Sequence, residues 1–217
     1  KIRRKFKMEE LIQSIKNLAE VYSANLKGKI EARTEEMKTD DNSHYLIYRV
    51  LGITLEQGQL IDSYQNTGRF LYKYAGSFLE DAATLCLKYA YPEGIKTKVE
   101  NTMGQRPKTF EIDALVEQLA FEIKWRDATT DGDHITKEHT RLNVIHAAGY
   151  TPIRLMFYYP NRTQAKRIQA TLETLYKGLN GQYYYGDSAW KFINEFTGVD
   201  LLAIIERIAR EKTKDAS

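Results

Sequence analysis

The sequence is poor in cysteine and has no long apolar segment. Cys86 is the only cysteine among the 217 residues, so neither an internal disulfide nor a cysteine-based zinc site can form within the chain. Its place in the helical stretch ATLCLKYA predicts a buried, unreactive thiol. No apolar run reaches the roughly 20 residues that span a bilayer. The first residues, KIRRKFKMEELIQ, lack the apolar core of a signal peptide, so we expect a cytoplasmic protein with no membrane association.

The net charge is also small. The chain has 32 Lys and Arg against 29 Asp and Glu, a formal charge of +3. This balance does not indicate nucleic-acid binding by itself, but it permits a basic surface beside an acidic metal site. The length predicts a single domain over residues 1–217. We expect a helical part over 1–75, a core over 76–160 and a second helical part over 161–217.

Apolar residues recur at helical spacing in the first and last parts of the chain. The spacing from Lys7 to Leu26 predicts one long helix. A further helix is predicted from Ser77 to Tyr91, where Ser77 and Glu80 have the spacing of a capping box. Asn161 is predicted to cap the first of three helices in the C-terminal part.

Between Pro92 and Tyr159 the apolar period changes to two. Strands are predicted at residues 95–102, 109–116, 119–125 and 151–159. A short turn at Glu117 and Gln118 joins the second and third as an antiparallel hairpin. A helix capped by Thr136 and ended by Gly149 crosses over to the last strand. The order α-β-β-β-α-β predicts an α/β (α+β) fold, a mixed sheet wrapped by N- and C-terminal helices.

The predicted hairpin carries charged residues between apolar ones. Alternate side chains of a strand point the same way, so Glu122 and Lys124 share a face. The tight turn places Asp113 opposite them. Glu111 shares a strand face with Asp113, and we expect it to be a solvated acid at the sheet edge, with a further ligand as the alternative. A surface salt bridge is one interpretation, of little energetic value. The other interpretation is a functional site, because two carboxylates and an ammonium converge there without an obvious structural need.

At these residues the sequence resembles the PD-(D/E)XK nuclease superfamily. Its core has this order of elements, with an aspartate on the second strand and (D/E)xK on the third. EID, ending at Asp113, and FEIK, ending at Lys124, match that pattern, although Ile112 stands where many members have proline. The segments HYLIYRVLG, GRFLYKYAGSFLEDA and FEIKWRDATTDGDHITKEH further resemble the ApaLI-like type II restriction endonucleases, and this resemblance covers roughly Tyr45 to Arg162.

The resemblance implies Mg²⁺-dependent hydrolysis of DNA phosphodiester bonds that leaves 5′-phosphates. It implies that Asp113, Glu122 and the main-chain carbonyl of Ile123 hold Mg²⁺, and that Lys124 orients or deprotonates the attacking water. Glu80 fits the acid that reaches the metal from the first core helix in many members. It fits the acid of a capping box equally well.

The residues expected to contact DNA lie in polar segments near the hairpin and on helices. WRDATTDGDHITKEHTR follows the catalytic strand directly, where loops of such enzymes meet base edges. The alternative is a solvated loop with a charged helix flank. The expected contacts are Arg126, Asp127, Thr129, Thr130, His134, Lys137, Arg141, Arg69, Lys73 and Arg162.

Together these features predict a type II restriction endonuclease that cuts double-stranded DNA at a short palindrome. We expect a homodimer, because cutting both strands of a palindrome requires two active centres related by a two-fold axis. The alternatives are a structure-specific repair or resolving nuclease on the same core, a non-catalytic DNA-binding protein, and a plain α/β protein with a surface ion pair.

Overall fold

The computed structural model describes residues 2–104, 106–126 and 133–213, the side chains of residues 2–6 excepted. The described residues form seven helices and five strands. In chain order they are α1 (Ile2–Met37), α2 (Tyr45–Val50), α3 (Leu55–Ala90), β1 (Ile95–Glu100), β2 (Thr109–Val116), β3 (Leu119–Arg126), α4 (Asp133–Ala147), β4 (Thr151–Tyr158), α5 (Thr163–Gly178), β5 (Gln182–Tyr185), α6 (Asp187–Thr197) and α7 (Leu201–Thr213). The chain separates into two compact units, Lys16–Phe78 and Lys1–Ile15 with Leu79–Ser217.

The second of these units contains one five-stranded mixed sheet in the order β1-β2-β3-β4-β5. Strands β1, β2 and β3 pair antiparallel, whereas β3, β4 and β5 pair parallel. Helices α4 and α5 make the two crossovers that parallel pairing requires. The α/β (α+β) fold predicted from the sequence is confirmed, and the arrangement is compatible with the core of an α/β nuclease.

Helices pack on the sheet through apolar side chains. Strand β4 is buried from Pro152 to Phe157, as expected of a strand inside a sheet that is covered on both faces. Val144 and Ile145 of α4 pack against one cluster of sheet residues, which contains Phe110, Ile112 and Ala120. Cys86 is fully buried in α3, as the sequence predicted, and this burial raises the pKa of the thiol to about 12.

The fifth strand was not among the predicted elements. β5 has only four residues and lies between glycines, so its alternation is too short to stand out in the sequence. Tyr183 is its buried member, and its hydroxyl donates to Oε1 of Gln169 at 2.6 Å. This tyrosine-rich segment therefore completes the edge of the sheet.

Three predicted helix starts are wrong. Helix α3 runs without a break through Ser77 and Glu80, so these residues cannot form a capping box, because interior main-chain N–H groups are already bonded within the helix. Thr136 lies inside the first turn of α4. Arg162, not Asn161, is the N-cap of α5, and its side chain makes no capping hydrogen bond.

The unit Lys16–Phe78 is helical. Within it, the ring of Tyr22 meets Tyr74 and Phe78 edge-on, and Nε of Arg33 donates to Oδ1 of Asn66 at 3.1 Å. These contacts join α1 to one face of α3. None of the described helices has both the length and the apolar character needed to cross a membrane.

Candidate active site

The hairpin of β2 and β3 lies where the sequence predicted it. Ala114 pairs with Phe121 and Val116 with Leu119 in antiparallel register. Glu117 turns the chain with a φ of 52°, in the left-handed region that tight hairpin turns use. The two strands that carry the candidate acids are therefore direct neighbours.

Strand β2 is irregular at the position of Asp113. From Ile95 to Thr97, strand β1 spans three residues opposite the four from Ile112 to Leu115, so β2 contains an extra residue. The pairing of β2 with β3 runs only as far as Ala114. Beyond that point, Oδ2 of Asp113 accepts the main-chain N–H of Ile123 at 2.8 Å. A side-chain carboxylate thus replaces a main-chain partner and is fixed beside β3.

Glu122 and Lys124 share one face of β3, as their spacing predicted. Nζ of Lys124 lies 2.7 Å from Oε1 of Glu122. The Glu122 side chain is only 9% exposed, whereas that of Lys124 is 35% exposed. Because the acid is buried, this pair is not the surface salt bridge that offered one interpretation of the sequence.

A chain of buried ion pairs extends from Glu122 into the protein. Its Oε2 pairs with Nη2 of Arg141 on α4. Nη1 of Arg141 lies 3.6 Å from Oε2 of Glu138, and Nη1 of Arg154 lies 3.4 Å from the same oxygen. Arg154 is the residue of β4 in register with Glu122. Lys124 and Arg141 therefore contact the Glu122 carboxylate, while Arg141 and Arg154 contact Glu138.

The two candidate metal ligands differ in charge compensation. Burial raises the pKa of Asp113, and the negative charge of Glu122 raises it further. Burial also acts to raise the pKa of Glu122, but Arg141 and Lys124 outweigh it and lower that pKa below its ordinary value. For Lys124, burial acts to lower the pKa, yet Glu122 and Asp113 raise it overall. Asp113 is consequently the acid whose ionised form is least favoured.

Lys96 of β1 is a further cation, beside Glu111 of β2 and Glu80 of α3. Its Nζ lies 2.7 Å from Oε1 of Glu111 and 3.4 Å from Oε1 of Glu80. The hydrogen bond to Glu111 is the main cause that raises the pKa of Lys96, and the charge of Asp113 contributes as well. Sequence reasoning overlooked Lys96, although the alternation of IKTKVE would have placed it on one face of a strand next to the hairpin.

The donor atoms suit a hard divalent cation. Among the residues described here, no three His, Cys, Asp or Glu side chains are grouped so that they could hold a metal ion by themselves. Mg²⁺ commonly keeps several waters and takes only one or two carboxylates from the protein. Asp113 fits that requirement, because a bound cation would offset both its burial and its repulsion from Glu122.

The structure assigns Arg141 a place different from the DNA contact expected from the sequence. Its side chain is buried, and Nη2 also donates to the main-chain oxygen of Glu111 at 3.1 Å. A guanidinium held in this way is not available to base edges. The spacing of Glu138, Arg141, Leu142 and Ile145 on one face of α4 was the signal that it points inward.

The other candidate DNA contacts occupy several parts of the chain. Asp127, Thr129 and Thr130 lie outside the described residues. His134 is half-buried in the first turn of α4. The exposed candidates are Arg126 at the end of β3, Lys137 on α4, Arg162 at the start of α5, and Arg69 and Lys73 on α3 in the unit Lys16–Phe78.

Comparison with known proteins gives one match. A family model described as ApaLI-like restriction endonuclease matches residues 6–210, nearly the whole length of the chain. No curated protein and no solved structure matches. The matched range includes the β2–β3 hairpin and confirms the family that the sequence resembled.

Proposed function

The chain belongs to the ApaLI-like restriction endonuclease family, a family of nucleases, and we propose that it is a type II enzyme that cuts double-stranded DNA with Mg²⁺. The observation that carries this proposal is the convergence of Asp113, Glu122 and Lys124 on adjacent strands, with both acids buried. Two neighbouring buried carboxylates repel each other, and this repulsion contributes to the raised pKa of Asp113. A cation bound between them would relieve it, and perturbed pKa values of this kind are typical of functional sites.

In this proposal Asp113, Glu122 and the carbonyl of Ile123 hold the Mg²⁺. A divalent cation held by these groups would supply Lewis-acid chemistry for phosphodiester hydrolysis. The protein's own contribution is to fix the ligands. The N–H of Ile123 orients Asp113, and Arg141 orients Glu122. The product of hydrolysis is a 5′-phosphate and a 3′-hydroxyl.

Lys124 acts on the attacking water and on the charge of the phosphate. Its ammonium is anchored to Glu122 yet partly exposed, so it can donate a hydrogen bond toward the substrate side. A charged donor in that place orients the water and offsets the negative charge that develops on the phosphorane oxygens. Glu80, which faces Lys96, is the further acid that can reach the metal through water.

DNA binding is assigned to the candidates that the structure leaves exposed and to the segment after β3. Arg126, Lys137 and Arg162 are exposed on the unit that contains the sheet, and His134 lies in the first turn of α4. Asp127, Thr129 and Thr130 belong to the same segment as the catalytic strand. Arg69 and Lys73 contribute phosphate contacts from α3. A homodimer brings two such centres to the two strands of a palindromic site.

Incubation of the protein with long duplex DNA and Mg²⁺, and in parallel with EDTA, tests the proposal. Discrete fragments that need Mg²⁺ and carry 5′-phosphates are the expected result. Cleavage only at branched or damaged substrates would support a structure-specific nuclease in its place. If no DNA substrate is cut in a Mg²⁺-dependent manner, the proposed function is wrong.

A further inference from the structure

The buried charged side chains of the described chain form one network. They come from β2, β3, α4 and β4 of the same unit, and among the described residues no other Asp, Glu, Lys or Arg is buried. The proposed reaction uses two of them as ligands and a third to orient one of these ligands. The members are Asp113, Glu122, Glu138, Arg141 and Arg154.

Glu138 of α4 is a member to which the proposed reaction assigns no role. Its Oε2 lies 3.6 Å from Nη1 of Arg141 and 3.4 Å from Nη1 of Arg154. Both distances are long beside the 2.7 Å that separates Lys124 from Glu122. One carboxylate oxygen is therefore shared by two buried guanidinium groups and is close to neither.

This sharing leaves a buried donor unsatisfied. Nη1 of Arg141 has no hydrogen-bond partner among the described residues, because 3.6 Å to Glu138 is too long for a hydrogen bond. A buried ion pair stabilises a fold only when its geometry is close and its remaining hydrogen bonds are made. Stability alone therefore does not account for a carboxylate at this position.

Arg141 connects Glu138 to a proposed metal ligand. Its guanidinium contacts Glu122 through Nη2 and faces Glu138 through Nη1, so two carboxylates share one positive charge. Burial acts to raise the pKa of Glu122, whereas the charges of Arg141, Lys124 and Arg154 lower it. The negative charge that Glu122 can offer to a cation thus depends on how far Glu138 offsets the two arginines.

The network is balanced in charge before a metal ion enters. With Lys124, which pairs with Glu122, it has three cations against its three carboxylates. Without Glu138, three cations would face the two candidate ligands, and a divalent ion would have to enter a site that is already positive. Charges interact more strongly where burial excludes water.

Lys96 and its partners form a separate group that is more exposed. The side chains of Lys96, Glu111 and Glu80 are between 26% and 50% exposed, so water screens their charges more than those of the buried network. Glu138 is thus the acid that compensates Arg141 and Arg154 where screening is weakest.

We propose that Glu138 is a positioning residue of the metal centre, whose carboxylate offsets two buried arginines so that Glu122 can bind a divalent cation. This inference rests on the proposed function, which assigns Mg²⁺ to Asp113 and Glu122. It adds a residue that contacts neither the ion nor the DNA. Groups that support the ligands of a metal ion commonly change its affinity by about 10- to 100-fold.

Calorimetric titration of the full chain with Mg²⁺, without DNA, tests this role. Glu138→Gln keeps the size of the side chain and an accepting oxygen but removes the charge, so the dissociation constant for Mg²⁺ should rise about tenfold or more. Glu173→Gln is the matched control, because Glu173 pairs with Lys177 on α5 of the same unit. It should leave the Mg²⁺ affinity unchanged.

Arg154→Met separates the charge of the network from its structure. If the balance of charge sets the affinity, removing one cation should strengthen Mg²⁺ binding several-fold. If Glu138 acted only by fixing the position of Arg141, the loss of its other partner would leave it less well held and would weaken Mg²⁺ binding. The two explanations therefore predict changes of opposite sign.

The double variant Glu138→Gln with Arg154→Met tests the same point if Arg154→Met alone does not fold. It removes both members of a buried pair, which is far less costly than removing one. Acids and cations are again equal in number, so most of the Mg²⁺ affinity lost in Glu138→Gln should return. The thermal midpoint without Mg²⁺ reports whether each variant is folded.

The outcomes distinguish this role from the proposed function. Mg²⁺ binding that weakens in Glu138→Gln and recovers in the double variant supports the role even when the wild type cuts no DNA, which would overturn the nuclease proposal alone. A wild type that cuts DNA while Glu138→Gln binds Mg²⁺ as tightly as it does overturns the role alone. Weaker binding in Arg154→Met, or a double variant that binds no better than Glu138→Gln, also overturns the role. A wild type that binds no Mg²⁺ overturns both.

Discussion

Asp113 accepts the main-chain N–H of Ile123 at 2.8 Å, across a hairpin whose regular pairing has stopped one residue earlier. This bond joins β2, which contains the extra residue, to β3. It places the Asp113 carboxylate next to Glu122 and holds the main chain of Ile123, whose carbonyl, in the following peptide, is proposed as the third ligand. The candidate metal site is thus a product of the extra residue in β2.

Asp113→Asn should stabilise the metal-free protein and remove its affinity for Mg²⁺. At neutral pH the ionised Asp113 is disfavoured by burial and by Glu122, and a neutral amide avoids that cost while still accepting from Ile123. We expect the free energy of unfolding to rise by about 1 kcal/mol or more, since one pKa unit corresponds to about 1.4 kcal/mol. Urea denaturation with and without Mg²⁺ measures both effects.

Glu117→Gln is the control for that substitution. Glu117 is an exposed acid in the turn of the same hairpin, and its replacement should change neither stability nor Mg²⁺ binding. An Asp113→Asn protein that binds Mg²⁺ as tightly as the wild type would remove Asp113 from the ligand set.

Arg141→Met should destabilise the protein strongly. The substitution retains an unbranched apolar stem but leaves the buried Glu122 without its guanidinium partner. Breaking a buried ion pair in this way costs about 3–5 kcal/mol. Urea unfolding should show that loss, and adding Glu122→Gln should recover part of it, because the unpaired charge is then gone.

Arg207→Met provides the comparison for Arg141. Arg207 pairs with Glu211 at 2.9 Å, but both side chains are largely exposed. Surface pairs of this kind contribute about 0–1 kcal/mol. If Arg141→Met and Arg207→Met lose equal free energies of unfolding, the buried ion pairs do not stabilise Glu122 as described.

Lys96→Met should strengthen Mg²⁺ binding. Lys96 holds Glu111 and Glu80 and acts electrostatically on Asp113, so its removal makes the site more negative. The dissociation constant for Mg²⁺, measured by calorimetry, should fall several-fold. Lys177→Met removes a pair of the same 2.7 Å length on α5 and should leave Mg²⁺ affinity as it was. Weaker binding in Lys96→Met would mean that Lys96 holds the acids in place for the metal.

His44 should titrate above the ordinary histidine range. Its hydrogen bond to Asp62 raises the pKa of the imidazole, and the same bond lowers the pKa of Asp62. Stabilisation from the raised histidine is complete below its unfolded pKa and disappears as the pH rises through the native value. NMR titration should show the raised pKa, and Asp62→Asn should lower it. An unchanged His44 titration in that variant would show that the pair does not form in solution.

The strand boundaries and the placement of the two acids and the lysine on adjacent strands followed from local pattern. β2 is bounded by Thr109 and Val116 as predicted, and β3 starts at Leu119 as predicted, because alternation and a two-residue turn are properties of adjacent residues. The same locality places Glu122 and Lys124 on one face. The sequence therefore sufficed to find the three residues on which the proposal rests.

Features that depend on distant partners did not follow from the sequence. Ser77 has the side chain of an N-cap, but the helix that begins at Leu55 continues through it, since no proline interrupts it before Pro92. Arg141 was placed among DNA contacts because it belongs to the polar segment that directly follows the catalytic strand. Its partner Glu122 lies 19 residues away, and only the fold brings the two together.

Cleavage by Lys124→Ala, measured beside its DNA binding, tests the proposed active site most directly. Lys124 contacts Glu122 but is not a proposed metal ligand, so DNA and Mg²⁺ should still bind. Single-turnover cleavage of duplex DNA in Mg²⁺ should be abolished, while the gel-shift affinity for the same DNA should stay close to that of the wild type. Cutting by Lys124→Ala at the wild-type rate would contradict the assigned centre.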